Sequence, residues 1–177
     1  MESSNNHKAV LQANIERLSS TRFNLLTTTV ALLNRHLSRL FLPLTNGGSL
    51  RLELAANNSI LDHTGISISV KMPADRWTDF ERLSGGQQSV SALAVSLSLS
   101  LAFPTPILIA DEVDAALDTL AVGRVQKVFH TLTKSSLMPR QVLVVSLREQ
   151  MYEHCSRIIG VYNCKGSSRV VHLDCDN

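Results

Sequence analysis

Two short segments carry residue types that act on phosphate groups, and the first is Leu83-Ser84-Gly85-Gly86-Gln87. Ser84 is a good helix N-cap residue, and paired glycines let the backbone turn tightly and approach a ligand. A helix is predicted over residues 88–102. A small-residue turn that opens a helix presents unpaired N–H groups and the positive end of the dipole, which suits a phosphate. Taken alone, the same pattern is more often an ordinary capped turn.

The second segment is the apolar run 107–110, which ends in Asp111 and Glu112. Such a run is typical of a central parallel strand, and α/β proteins bind ligands at the carboxyl edge of the sheet. There Asp111 can hold Mg²⁺, and Glu112 can orient a water for attack on a γ-phosphate. Asp114 and Asp118 complete a set of four acids in eight residues. A nearby cation or helix N-terminus is needed to offset the repulsion among these four carboxylates. The alternative to such a binding site is a solvated acidic loop that caps the next helix.

The elements before these segments are a long helix and two strands. Residues 7–41 read as one helix with a heptad seam, formed by Leu26, Val30, Leu33, Leu37 and Leu40. This seam is either a core-facing stripe or the last turns of a coiled coil entering a globular head. Residues 43–49 break the helix at Pro43, with a turn at Gly47-Gly48.

Strict alternation predicts half-buried strands at 50–54 and 66–70, an antiparallel β hairpin joined by a polar loop at 57–64. In the connection 73–82, Trp77 is expected to pack under the loop. After residue 106 the pattern predicts a helix at 119–132, a buried strand at 141–145 and a short helix at 148–155. A final pair of strands follows at 157–162 and 169–173. This order is the latter part of an α/β domain.

A third segment, Ala116-Leu117-Asp118, follows the other two in a set order. The three resemble the signature loop, Walker B strand and D-loop of ABC-type ATPases. Residues 111–118, Asp-Glu-Val-Asp-Ala-Ala-Leu-Asp, look like the branch of these ATPases that contains the SMC (structural maintenance of chromosomes) family, and residues 145–152 do too. The region 22–77 resembles the condensin SMC subunits, most closely the larger one, with a cohesin SMC as close competitor.

The resemblance covers about residues 22–173 and implies an α/β fold, the C-terminal lobe of an ABC-type (P-loop NTPase-like) ATPase head. Residues 1–42 would be a coiled-coil stub helix, and residues 43–177 would be the C-terminal half of the head with its small β hairpin. The implied cofactors are ATP and Mg²⁺. The implied role is ATP-dependent head engagement and chromosome condensation, with Rad50- or RecN-like repair ATPases and a non-catalytic interaction module as alternatives.

Individual roles follow by resemblance. Leu83, Ser84, Gly85, Gly86 and Gln87 would contact the γ-phosphate of an ATP held on an opposing head. Asp111 would serve Mg²⁺ through water, Glu112 would be the catalytic base, and Asp118 would signal across the head–head interface. Leu147 occupies the switch position, where many ABC ATPases carry a histidine. Gln87-Gln88 replaces the Glu-Lys usual in SMC signatures, so charges that could affect head engagement are absent.

A phosphate-cradling P-loop, Gly-x₄-Gly-Lys-Ser/Thr, is absent from the 177 residues. We therefore expect a fragment, split product or degenerate copy that is an ATPase only when completed by a P-loop half and a partner head. The implied partners are the N-terminal half of an SMC head, a second SMC subunit in a heterodimer, a kleisin and other non-SMC subunits. DNA would bind through the assembled complex, in the nucleus on chromosomes, with cytoplasm as an option.

Composition agrees with a globular chain, with 44% hydrophobic and 18% charged residues. A net charge of +2 is too small to argue for nucleic-acid binding by charge alone. Scattered basic residues, including Arg35 and Arg39, read as solvated surface. The three cysteines have no CxxC spacing and are expected to be reduced intracellular thiols. No apolar run reads convincingly as a membrane span, so a membrane partner is not expected.

Overall fold

The computed structural model describes residues 2–54, 65–134 and 140–175, with side chains from residue 6 onward. The elements are α1 Glu2–Thr45, β1 Ser49–Leu54, β2 Ile66–Lys71, β3 Thr78–Asp79, α2 Gly85–Ala102, β4 Ile107–Asp111, α3 Thr119–Thr133, β5 Gln141–Val145, β6 Arg157–Cys164 and β7 Ser167–Asp174. Short 3₁₀ turns span Phe80–Arg82 and Glu149–Met151. The predicted polar loop at 57–64 lies outside the described residues. In the described part, no helix is both long and apolar enough to cross a membrane.

Helix α1 changes its surroundings near Val30. From there the seam side chains Val30, Leu33, Leu37 and Leu40 are buried in the main core. Earlier apolar side chains such as Leu11 and Leu18 are exposed. Four of the five predicted seam residues are therefore core-facing, because helices α2 and α3 and strand β1 pack against that part of α1.

Pro43 does not break α1 as predicted, since the helix continues to Thr45. Near a helix end, proline removes only one backbone hydrogen bond, and the chain tolerates that loss. The helix ends where Asn46 adopts a left-handed φ of 59° and the Gly47 N–H donates to the Leu42 carbonyl at 3.0 Å. This is a Schellman ending, which satisfies a terminal carbonyl.

Strands β1 and β2 form the predicted antiparallel pair, with Leu52 opposite Ile68. The hairpin prediction was incomplete, because β3 adds a third strand beside β2. Asn34 of α1 anchors the sheet, since its side chain exchanges two hydrogen bonds with the Leu52 backbone, at 2.9 and 2.8 Å. Trp77 does not pack under the loop; the residue is 44% exposed, and Arg51 Cζ lies 4.3 Å from the centroid of its ring.

Strands β4 and β5 are parallel, with Ile107 opposite Gln141 and Asp111 opposite Val145. The prediction that both are fully buried was wrong. Alternate side chains face the core, whereas Ile109 is 66% exposed and Leu143 is half-exposed on the other face. Both faces of these strands are apolar, but the described residues cover only one of them.

The last two strands form a separate antiparallel hairpin, β6–β7, that turns through Lys165 and Gly166 at positive φ. Both strands run further than predicted, and most of their side chains are exposed. The short helix predicted at 148–155 is only the 3₁₀ turn Glu149–Met151, so it is too short to form an independent packing surface.

Candidate functional site

The predicted phosphate-binding turn forms the first turn of α2. Ser84 caps the helix: its Oγ accepts from the Gln87 N–H at 3.4 Å, and its own N–H donates to Gln87 Oε1 at 3.1 Å. The helix begins at Gly85, so the expectation of a tight glycine turn before residue 88 was wrong. The N–H groups of Gly85 and Gly86 have no acceptor within the helix because they precede its first full turn. Open space surrounds Gly85, so a ligand can reach this end.

Gly86 brings the helix start against the loop that follows β4. A Cβ added at Gly86 would lie 3.2 Å from the Ala116 carbonyl oxygen. The structure therefore places the predicted signature segment beside the predicted D-loop segment, although 30 residues of sequence separate Gly86 from Ala116. Glycine allows this approach because it carries no side chain.

Asp111 and Glu112 lie at the carboxyl edge of the parallel pair, and both are exposed. The Glu112 N–H donates to the Val145 carbonyl at 2.9 Å, so backbone pairing extends one residue past β4. Glu112 has a φ of 46°, an uncommon value for a residue with a side chain. The neighbouring strand thus holds Glu112 in a strained backbone conformation, a feature that clusters at functional sites.

An open groove of about 430 Å³ connects Glu112 to the first turns of α2. Its walls include Ser89 and Ala92 of α2, Ile109 of β4 and Ala116 of the following loop. Apart from Glu112, most of the lining is apolar. The groove is therefore better suited to apolar side chains that pack into it than to another charged group.

Asp114 forms a buried network that the sequence analysis did not identify. It is 2% exposed, and its Oδ2 accepts a hydrogen bond from Ser146 Oγ at 2.6 Å. Ser146 Oγ accepts in turn from the Arg148 N–H at 2.9 Å, and Arg148 Nε lies 3.9 Å from the same carboxylate oxygen. The network ties the loop after β4 to the segment after β5. The only signal for this network in the sequence was that Asp114 and Ser146 each follow a strand of the predicted parallel pair.

Leu147 lies between the two network residues Ser146 and Arg148, and its side chain is 93% exposed. Ser146 and Arg148 are held inward by their contacts with Asp114. The Leu147 side chain between them therefore projects from the carboxyl edge of the strands. A leucine side chain has no hydrogen-bonding group, so this position cannot donate to a phosphate as a histidine can.

Asp118 is the N-cap of α3, where its Oδ1 accepts from the Ala121 N–H at 2.8 Å. The helix-capping alternative for the acidic loop is therefore correct for this carboxylate. A role across an interface between heads remains a prediction, and the carboxylate would have to combine it with capping.

Replacing Asp118 with alanine should lower the free energy of unfolding by about 1 kcal/mol, because the cap bond and its favourable dipole interaction are lost. Asp118→Asn should retain most of the stability, since asparagine caps as well as aspartate. Urea unfolding of the two variants checks this. Equal losses for both would contradict the capping role.

The carboxyl edge of β4 and β5 supplies some, but not all, of the ligands that a magnesium-bound nucleotide needs. Among the residues that the structure describes, no group of three or more His, Cys, Asp or Glu side chains could hold a metal ion. Asp111 and Glu112 alone are too few for Mg²⁺, which usually completes its octahedron with waters and substrate phosphates. The two carboxylates therefore fit a metal that arrives with phosphate oxygens.

The cysteines lie apart from this edge in the sequence. Cys155, Cys164 and Cys175 are free thiols. Burial raises the pKa of the Cys155 thiol, and the neighbouring Cys175 raises it further. Because the thiolate is the nucleophilic form, a raised pKa makes Cys155 a poor nucleophile.

Comparison with known proteins gives a consistent result. The family model described as RecF/RecN/SMC N terminal domain matches residues 4–169. Structural maintenance of chromosomes protein 4 of Caenorhabditis elegans is 31% identical over 160 residues, which cover 90% of this chain and 10% of that protein. Structural maintenance of chromosomes protein 1 of Saccharomyces cerevisiae is 30% identical over 171 residues, covering 91% and 14%. The chain thus spans a small part of these relatives.

A solved structure agrees in fold as well as in sequence. The Smc head domain of Pyrococcus furiosus, with an extended coiled coil and bound to the C-terminal domain of ScpA, matches with a TM-score of 0.79 and 30% identity. The match covers 94% of this chain and 41% of that one. The arrangement of three helices and small sheets in the described residues is therefore that of an SMC head.

Proposed function

Because the chain belongs to the RecF/RecN/SMC N-terminal domain family, we propose that it is the C-terminal half of an SMC ATPase head. It would contribute a signature loop and a Walker B strand to ATP-dependent engagement of two heads. The observation that carries the proposal is the contact of Gly86 with Ala116, which puts an open helix N-terminus beside the Ala-Leu-Asp loop. A condensin core subunit is the favoured identity, supported by the likeness to the C. elegans protein.

The nucleotide that the signature loop contacts would belong to another head. This chain has no P-loop motif, so it lacks the residues that cradle the α- and β-phosphates. Leu83–Gln87 instead presents the N–H groups of Gly85 and Gly86 and the Ser84 hydroxyl to solvent, where a γ-phosphate held elsewhere could approach. Phosphate oxygens at a helix N-terminus are favoured by free donors and by the dipole.

The carboxylates at the edge would serve the nucleotide bound to this head once it is complete. Asp111 would hold Mg²⁺ through water, and Glu112 would orient the attacking water and accept its proton. Magnesium would supply charge neutralisation of the phosphates. Asp118, at the start of α3, would signal across the interface between the two heads.

The missing half of the head would cover the outer face of β4 and β5. On that face, Ile107, Ile109, Leu143 and Val145 are between 44% and 66% exposed. Parallel sheets are buried on both faces in most proteins, so this uncovered face supports a partner that packs on it. The N-terminal half of an SMC head is the proposed partner, and without it we expect neither ATP binding nor hydrolysis.

The assembled complex would include a second SMC subunit, a kleisin with other non-SMC subunits, and DNA, on chromosomes in the nucleus. The Pyrococcus head bound to the C-terminal domain of ScpA supports a kleisin contact. The exposed apolar side chains early in α1, such as Leu11 and Leu18, support pairing of that segment in a coiled coil.

A second candidate is a non-catalytic module that occupies a partner's interface. The signature segment favours it, because Gln87-Gln88 lacks the charges usual in SMC signatures. Matches to both protein 4 and protein 1 of the SMC family keep a different SMC complex, such as the cohesin type, as an alternative.

Ser84→Arg should abolish ATP-dependent engagement of the assembled heads, because a long cationic side chain would block the helix N-terminus and remove its cap. Engagement is measured by sedimentation of the chain, its N-terminal half and a partner head, with and without ATP. Ser20→Arg, on the exposed part of α1, is the matched control and should engage normally. Normal engagement by Ser84→Arg would refute the proposal and favour the non-catalytic module.

A further inference from the structure

Two histidines that are far apart in the sequence, His130 and His154, lie beside each other at the surface. The centroids of their imidazole rings are 5.9 Å apart, and the ring planes are tilted by 47°. His130 is partly buried, and His154 is exposed. Imidazole is the side chain that zinc, copper and nickel share as a preferred nitrogen ligand. The fold thus brings together two groups that can bind a metal ion.

His130 is on the last turn of α3, where its backbone is well anchored. The neighbouring Phe129 is buried in the core. The His130 carbonyl accepts from Thr133 Oγ1 at 2.8 Å and from the Lys134 N–H at 3.3 Å, so the end of the helix is closed. The last turn of a helix carries a partial negative charge, which favours a cation bound there.

His154 follows the 3₁₀ turn Glu149–Met151, which packs against α3. Met151 is 4% exposed and anchors this turn in the core. The Cys155 N–H donates to the Tyr152 carbonyl at 3.2 Å, so the chain is also held just after His154. Because the fold fixes the backbone at both histidines, little conformational entropy is lost when the two rings share a ligand.

The ring nitrogens of this pair are available to a ligand. No side-chain hydrogen bond among the described residues uses either ring. In the same part of the chain, no buried side-chain nitrogen or oxygen lacks a partner. The ring nitrogens of His130 and His154 therefore contact solvent, and a metal ion would displace water from them, not a protein group.

The spacing of the rings suits one metal ion held between them. With a zinc–nitrogen bond of about 2.1 Å, two imidazoles at a tetrahedral angle have centroids about 5 Å apart, and a wider angle gives about 6 Å. The observed separation of 5.9 Å lies within that range. Since His154 is exposed, its ring can turn a nitrogen towards His130 without displacing core residues.

The charges near the pair make such a site weak. Lys127 and Lys134 lie one turn on either side of His130, and both oppose a bound cation. Glu153, directly before His154, is exposed and offsets only part of this positive charge. All three side chains are at the surface, where solvent screens their effect. We therefore expect a bound ion to exchange readily with solvent.

We propose that His130 and His154 bind one divalent transition-metal ion of the zinc class, with water at the remaining positions. Two protein ligands agree with the lack of any three-residue metal group in the described part of the chain. The ion would tie the end of α3 to the segment after β5. The site does not depend on the proposed ATPase role, because His130 lies about 18 Å along α3 from Asp118 at the usual helical rise.

Zinc sulfate is the probe, and the purified chain is titrated with it while the histidine ring protons are followed by NMR. The signals of His130 and His154 should shift together and saturate at one ion per chain, whereas that of His172 should stay unchanged. Zinc should also raise the unfolding temperature, because it binds the folded chain more tightly, and EDTA should reverse the rise. Magnesium should do neither, since it prefers oxygen ligands.

Variants identify the ligands. His154→Gln and His130→Gln should each weaken zinc binding about 100-fold, because one remaining imidazole loses the advantage of two linked ligands. His172→Gln, on β7, removes another exposed histidine and is the matched control, so it should bind as the unaltered chain does. Cys155→Ser should also bind normally, since the thiol beside His154 points to the Met151 carbonyl, 3.6 Å away.

Three results would overturn the proposal. The first is that zinc leaves the ring signals of His130 and His154 unchanged. The second is that His154→Gln and His130→Gln bind zinc as tightly as the His172→Gln control. The third is loss of binding in Cys155→Ser with binding retained in both histidine variants, which would assign the metal to the thiol.

Discussion

Glu112→Gln is expected to reduce ATP hydrolysis by the assembled heads about 100- to 10,000-fold, the usual contribution of a positioned general base. Glutamine preserves the shape of the side chain but cannot accept the proton of the attacking water. The Glu112 backbone should keep its position, because its N–H is bonded to the Val145 carbonyl. Steady-state phosphate release by the chain, its N-terminal half and a partner head gives the rate.

In Glu112→Gln, ATP hydrolysis should be lost while ATP-dependent engagement of the heads is retained. ATP-dependent engagement should persist or lengthen in Glu112→Gln, since the phosphate contacts at the start of α2 are untouched. Glu149→Gln is the matched control, because Glu149 is an exposed glutamate just beyond the parallel pair, and it should hydrolyse ATP normally. Equal rates for Glu112→Gln and Glu149→Gln would remove Glu112 from the mechanism and leave the interaction-module alternative.

Asp114→Ala is expected to lower the free energy of unfolding by about 2–3 kcal/mol, because a hydrogen bond to a buried charged group is lost and Ser146 is left without its acceptor. The ion pair with Arg148 adds little, since it is 3.9 Å long and Arg148 is partly solvated. Urea unfolding measures the change, and a constant m-value would show that only stability has altered.

Two further variants test the network behind that loss. Asp114→Asn should cost less than alanine, because the amide oxygen can still accept from the Ser146 hydroxyl. Combining Asp114→Ala with Ser146→Ala should cost less than the two single losses together, since both remove one shared hydrogen bond. If the losses of unfolding free energy in the two single variants simply add in the double variant, the 2.6 Å hydrogen bond between Ser146 and Asp114 contributes no coupling energy.

Local patterns predicted most elements of the fold. The heptad seam, the alternating runs at β1 and β2, and the N-cap residues Ser84 and Asp118 all led to the correct kind of element. These features depend on side chains a few residues apart, and a sequence records them directly. The errors at Pro43 and at the glycines of α2 arose because helix ends depend on a few marginal hydrogen bonds.

The candidate site was only partly predictable. The types and order of Ser84, Asp111, Glu112 and Asp118 were evident from the sequence, and the roles assigned to them remain predictions. The burial of Asp114 and its bond to Ser146, 32 residues away, could not be read from either segment alone. The contact of Gly86 with the Ala116 carbonyl was equally hidden, since nothing local distinguishes a glycine needed for close approach.

The sequence alone thus established the order of elements, the residues suited to phosphate chemistry and the lack of a P-loop motif. Tertiary structure decided which faces are covered: β4 and β5 look equally apolar on both sides in the sequence, yet the described residues bury only one. It also joined Arg140 to Ser100 across 40 residues. Burial and charge depend on contacts between distant segments, and periodicity within one segment carries no information about them.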